Sequence, residues 1–317
     1  MVNATDTSSA SPSVRRPLSR SGSLWPGRPR FLTPSLLIYA ALIFWAFISL
    51  FPIYWTITTS FKTAVNVTQG HLIPFIDFTP DWKGWRSLGL SPDTLLSPST
   101  VRDEFLRRFL NSIVASAGAS FLAVVIGSLA AYGLSRFSYK FLWMTNKDIS
   151  FFFLSQLILP PVVLAMPFLV LYKNLMLLDT LIGLVLVYTL MVLPIVIWIM
   201  RDQFDTIPVE LEQAALVDGC SIWGAFVRIV LPIALPGMVA AFILSVILCW
   251  NEYFFAALLT SSNAKTLPVM VASQTGSQGI NWWSMAAIAT AAIMPLVLVG
   301  IFLERFIVKG LTAGAVK

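Results

Sequence analysis

The chain has 317 residues, of which 57% are hydrophobic and 11% charged, and its mean hydropathy is +0.81. Soluble domains carry roughly 45–50% apolar and about 25% charged residues, so a water-soluble fold of this size lacks polar surface to cover itself, and the chain reads as an integral membrane protein. The net charge of +6, two cysteines and one histidine leave no room for a disulfide scaffold or a His-rich metal cluster, and no Lys/Arg run is dense enough for a nucleic-acid patch.

Residues 1–32 are rich in Ser, Pro and Arg without an apolar period, which predicts a disordered basic tail. Six later segments reach the roughly 20 apolar residues that a spanning helix needs: 33–58, 109–134, 149–172, 180–200, 236–259 and 284–303. With no period-two alternation, these predict an all-α membrane protein of six transmembrane helices. Thirteen Lys/Arg fall on one side of that arrangement and eight on the other, which places the N- and C-termini in the cytosol. The transmembrane domain then covers 33–312, with a long outer loop at 59–108 that folds as a small cap. Pro160, Pro161, Pro167 and Pro194 predict kinks in the third and fourth helices.

The inner loop 201–235 is unusual. It holds five acids against two bases on the face where basic residues should dominate. Pro208 suits the start of a helix, and Glu210 and Glu212 sit near its positive end. Gly219 fits the left-handed residue that ends a helix. Ser221 can cap a second short helix, which Pro232 would stop. The pattern predicts a helix–turn–helix on the cytosolic surface, with small Ala214 and Ala215 and flanking Asp218 available to a partner.

Gln213-Ala-Ala-Leu-Val-Asp-Gly219, nine residues, then Ile229-Val-Leu231-Pro232 resembles the EAA signature of bacterial ABC importer permeases. Ala130–Phe137, the Trp250-Asn251-Glu252-Tyr-Phe run and Thr266-Leu-Pro268 are similar to the carbohydrate-uptake branch that contains the maltose permease. The resemblance covers roughly 35–312. It implies a type I importer permease fold in the bacterial inner membrane, forming half of a pathway for a sugar or related polyol or glycoside. It also implies a second permease subunit as heterodimer partner, an extracytoplasmic solute-binding protein, and two ATPase subunits that dock on the motif helix and bind ATP and Mg. The chain departs from the pattern at one place: Gln213 stands where the family has the charged glutamate that meets the ATPase, and Glu212 is the neighbouring candidate to replace it.

No G-x-x-x-x-G-K-[ST], H-E-x-x-H or G-x-S-x-G run is present, so the chain reads as a transport subunit rather than an enzyme. Glu252 is the one carboxylate well inside a predicted span and should line or brace the outer end of the pathway. Trp250, Asn251, Gln156 and Tyr188 are the other pathway candidates. The polar loop with Gln274, Gly276 and Gly279 is the candidate contact for a binding protein. The alternative function is an ion-gradient-driven carrier, which would need more intramembrane acids or a repeated half-structure.

Overall fold

The computed structural model describes residues 34–140, 144–276 and 279–315, by backbone alone at 34–35, 276 and 279 and beyond Ile301. The predicted tail 1–32 lies outside them. The chain divides into residues 1–50 and 51–317. Residues 36–50, within the first helix α1 (Pro34–Thr59), are exposed throughout.

In the second unit, α2 (Ala64–Thr68) and α3 (Lys83–Arg86) precede the long α4 (Thr100–Arg136). The Ser99 hydroxyl accepts the Arg102 N–H and caps α4. The helix therefore starts nine residues before the expected 109, because the charged stretch 102–108 continues it as a polar extension. Residues 60–99 thus lie between α1 and α4, and Ser87 in this segment bonds Ser284.

The third expected span is broken. The segments α5 (Asn146–Ser155) and α6 (Ala165–Asn174) are joined by two 3₁₀ turns and bend by 90°. Pro160 and Pro161 lack the N–H groups that would continue the α-helical ladder through Gln156 and Leu157. The next helices are α7 (Leu181–Asp205), α8 (Val209–Val217) and α9 (Ile222–Ala225).

Pro232 does not end a helix. A π turn at Phe226–Val230 links α9 to α10 (Leu231–Trp250), giving one apolar run over 222–250. The wider turn shifts the bonding register just before the proline, where the missing N–H would otherwise break the ladder. The fifth span ends at Trp250 rather than 259, and α11 (Phe254–Leu259) follows separately. After α12 (Leu267–Ala272) comes a hairpin, β1 (Thr275–Gly276) with β2 (Gly279–Ile280), then α13 (Trp282–Ala315).

Among the described residues, five helices are long and apolar enough to cross a membrane, and the bent pair makes a sixth if it counts as one span. The core lies where α4 meets α7 and α10. Ala115, Ala119, Ala123 and Ala131 are fully buried at four-residue multiples on one face of α4. Gly127 belongs to that line, and a methyl group there would come within 2.7 Å of Val196 on α7. Small side chains let helix backbones approach closely where lipid gives no hydrophobic drive to association.

Candidate functional site: a surface helix pair and a broken span

The helix pair α8–α9 forms as its local signals dictate. Gly219 has φ +88°, a conformation that other residues adopt at a cost. The Ser221 hydroxyl accepts the Gly224 N–H at 3.1 Å and starts α9. Pro208 stands at the cap position, one residue ahead of the helix.

The two faces of α8 differ. Glu210, Leu211, Gln213, Ala214, Leu216, Val217 and Asp218 are exposed, Val217 to 87%. Ile222 and Trp223 on α9 extend that surface, Trp223 being 63% exposed. Ala215 is buried inside the chain and Glu212 points the same way. Neither offers its side chain outward, which corrects the expectation that both meet a partner. The rotation of about 100° per residue separates Gln213 from Glu212. Of the remaining motif residues, Ile229 and Leu231 are half-buried and Pro232 is exposed.

Glu212 instead meets the end of α4. Arg136 donates to one carboxylate oxygen through Nε, and the Tyr132 hydroxyl donates to the other at 2.7 Å. The two charged side chains are 8% and 9% exposed. Arg136 also donates through Nη2 to the Ile207 carbonyl at 2.9 Å. Sequence reasoning passed over this partner. Tyr132 and Arg136 lie four apart on one helix face, inside a segment noted only for its resemblance, and that spacing was the available signal.

The five pathway candidates do not converge. Gln156 lines a cavity of about 410 Å³ beside the broken span, with Phe153, Phe168, Met191, Pro194 and Phe255. Tyr188 is fully buried and its hydroxyl reaches the Glu252 carbonyl at 3.4 Å, so it packs rather than lines. The Glu252 carboxylate accepts the Phe255 and Ala256 N–H groups at 2.9 and 3.1 Å. It caps α11 at the break after Trp250, a bracing role. Trp250 is buried, with its indole N–H on the Ala292 carbonyl at 3.2 Å. Asn251 folds back on Ile247 at 2.8 Å. These two line a different cavity, next to α13.

At the other end of α4, Asp179 accepts the N–H groups of Ser261, Ser262, Asn263 and Ala264. Burial alone would raise its pKa, but the N–H groups of Asn263, Ala264, Ser261 and Ser262 outweigh it and hold the carboxyl well below the ordinary range. Arg107 and Asn111 bind Asn263 from α4, each at 2.8 Å. This clamp carried no local sequence signal. In the hairpin, Gly276 pairs with Gly279. Gln274 donates weakly to the Met270 carbonyl at 3.4 Å, and Ser277 and Gln278 lie outside the described residues.

Long apolar helices, a broken span beside a cavity and an exposed helix pair define a multi-span membrane protein. Residues 123–313 match the family described as binding-protein-dependent transport system inner membrane component, and the chain belongs to that family. It is 31% identical to the inner membrane ABC transporter permease protein YcjP of Escherichia coli (strain K12), over 88% of this chain and 95% of that one. It is also 31% identical to the trehalose/maltose transport system permease protein MalG of Thermococcus litoralis, over 92% and 99%. The fold is similar to a crystal structure of a bacterial ABC transporter that imports the acidic polysaccharide alginate. The TM-score is 0.67 at 20% identity, covering 87% of this chain and 98% of that one. The chain is therefore an inner-membrane, non-enzymatic subunit of an ABC importer, and the match gives no support to the ion-gradient carrier.

Proposed function

We propose that the chain forms half of the translocation pathway for a sugar-class substrate and is driven through α8–α9 by an ATPase subunit. A second permease subunit completes the pathway, two ATPase copies bind ATP and Mg, and a solute-binding protein delivers the substrate to the opposite face, at the hairpin with Gln274, Gly276 and Gly279. The Lys/Arg distribution supports cytosolic termini and, with them, a cytosolic α8–α9. The observation that carries the ATPase contact is the exposed apolar surface of Val217, Ile222 and Trp223, set between Glu210, Gln213 and Asp218. Apolar area of this kind in water is covered by a partner, and the flanking acids select a basic one.

The broken span supports a pathway beside Gln156. Irregular backbone at membrane depth is tolerated where it is buried in protein or lines a water-filled cavity, and the cavity of about 410 Å³ adjoins this break. The sugar class rests on the relative from Thermococcus litoralis named for trehalose and maltose, and on the branch motifs of the sequence.

Uptake of a panel of labelled sugars, polyols and glycosides, trehalose and maltose among them, by cells expressing the complete system tests the substrate class; uptake of none of them contradicts it. Val217→Arg tests docking. It should strip the ATPase subunits from the purified complex while the chain stays in the membrane. Normal ATPase retention would contradict the proposal.

A further inference from the structure

The buried side of α8 is joined to the membrane helices by a continuous set of polar contacts. Glu212 on α8 uses both oxygens on α4, one for Arg136 and one for Tyr132. The guanidinium also holds the Ile207 carbonyl just before α8, and the hydroxyl of Ser135. Ser135 in turn donates to Asp205, at the end of α7. Arg201, one turn earlier on α7, faces Asp205 at 3.7 Å as an ion pair without a hydrogen bond, and donates through Nη1 to Ser150 of α5. The segment α5 leads straight into the break at Gln156. Surface α8, the ends of α4 and α7, and the broken span are therefore linked side chain to side chain.

We propose that Glu212, Arg136 and Tyr132, extended through Ser135, Asp205, Arg201 and Ser150, are positioning residues that carry movement of α8 to the broken span. This rests on the reading that α8 docks on the ATPase. A buried ion pair adds little to stability compared with apolar packing, but separating it exposes an uncompensated charge in a low-dielectric site. The contact therefore resists parting when α8 moves, and α4 moves with it. The two-pronged grip on Glu212 and Ile207 fixes the orientation of α8 as well as its distance, which a single apolar contact would not. The arrangement also accounts for Tyr132 and Arg136 in one motif: each takes one oxygen of the same carboxylate.

The test uses the full complex in proteoliposomes, with Cys220→Ser as background and Val163→Cys as a reporter in the broken span. Val163 is exposed. Its reaction with a thiol reagent is measured without nucleotide and after trapping with ATP and vanadate. The unaltered relay should give a clear nucleotide-dependent change in rate. Glu212→Gln and Tyr132→Phe keep shape and should keep trapped nucleotide. Each should shrink the change by roughly two- to thirtyfold, the span over which residues on a coupling route alter coupling. The double exchange Glu212→Arg with Arg136→Glu should restore part of it.

A full change in Glu212→Gln, or no change at Val163→Cys with the relay intact, would overturn the proposal. So would loss of complex yield with an intact change in the complexes that remain, since that is the mark of a purely structural pair. Val217→Arg separates the two readings. If it leaves the ATPase bound, docking fails; if it removes the ATPase while Glu212→Gln is silent, only the relay fails.

Discussion

Glu212 and Gln213 are adjacent in sequence but face opposite surroundings, one closed in by Arg136 and Tyr132 and the other open. The Glu212 carboxylate is already engaged within the chain, so it does not add charge to the exposed face at 213. If 213 faces a basic partner, Gln213→Glu should hold or improve uptake and Gln213→Arg should lower it; equal uptake in both would show that no basic group meets the position. Glu252, read for its burial cost as a residue that lines or braces, has the contacts of a brace. Its carboxylate serves two N–H groups at the start of α11. Glu252→Gln retains an acceptor and should be mild. Glu252→Leu leaves those donors unsatisfied and should lower stability by about 1–3 kcal/mol, read by thermal unfolding in detergent.

Among elements, the contact of α4 with α7 depends on small residues. Gly127→Ala places a methyl group 2.7 Å from the branched side chain of Val196. Overpacking of this kind costs about 1–3 kcal/mol, whereas Gly118→Ala, at 3.3 Å from Val185, should be smaller; equal melting temperatures for the two would contradict the close approach. The Asp179 clamp gives a pH dependence. Its folded pKa is lowered, so its stabilisation is complete above the unfolded carboxyl value of about 3.9 and disappears as pH falls through the folded value. Asp179→Asn should therefore differ fully from the unaltered protein at pH 6, with the gap beginning to narrow only below about pH 4 and closing as stronger acid reaches the lowered folded value; a gap that already narrows between pH 6 and pH 5 would contradict a charge-dependent clamp. The helix pair α8–α9 was legible because Gly219, Ser221 and the first-turn acids act within a few residues. The break at Pro160-Pro161 was legible as a kink, but not as a 90° bend, since neighbouring elements set the angle. Pro232 misled, because the π turn that accommodates it has no sequence mark of its own. Glu212 misled as well, since its partner lies 76 residues away and only folding brings the two together.

At the scale of the molecule, composition alone required a membrane, and the order of apolar segments carried over into the helix order with shifted ends at 109 and 259. The proposed function uses two features that the fold separates: the exposed surface of α8–α9 and the broken span beside a cavity. The segment α4 runs from the Glu212 contact at its C-terminal end to the Asp179 clamp region at the other, through Arg107 and Asn111. The most direct test is a photo-reactive amino acid at position 217, activated in membranes that contain the complete transport system. Docking through α8 predicts a cross-link to the ATP-hydrolysing subunit. A cross-link confined to lipid, or to the extracytoplasmic binding protein, would contradict it.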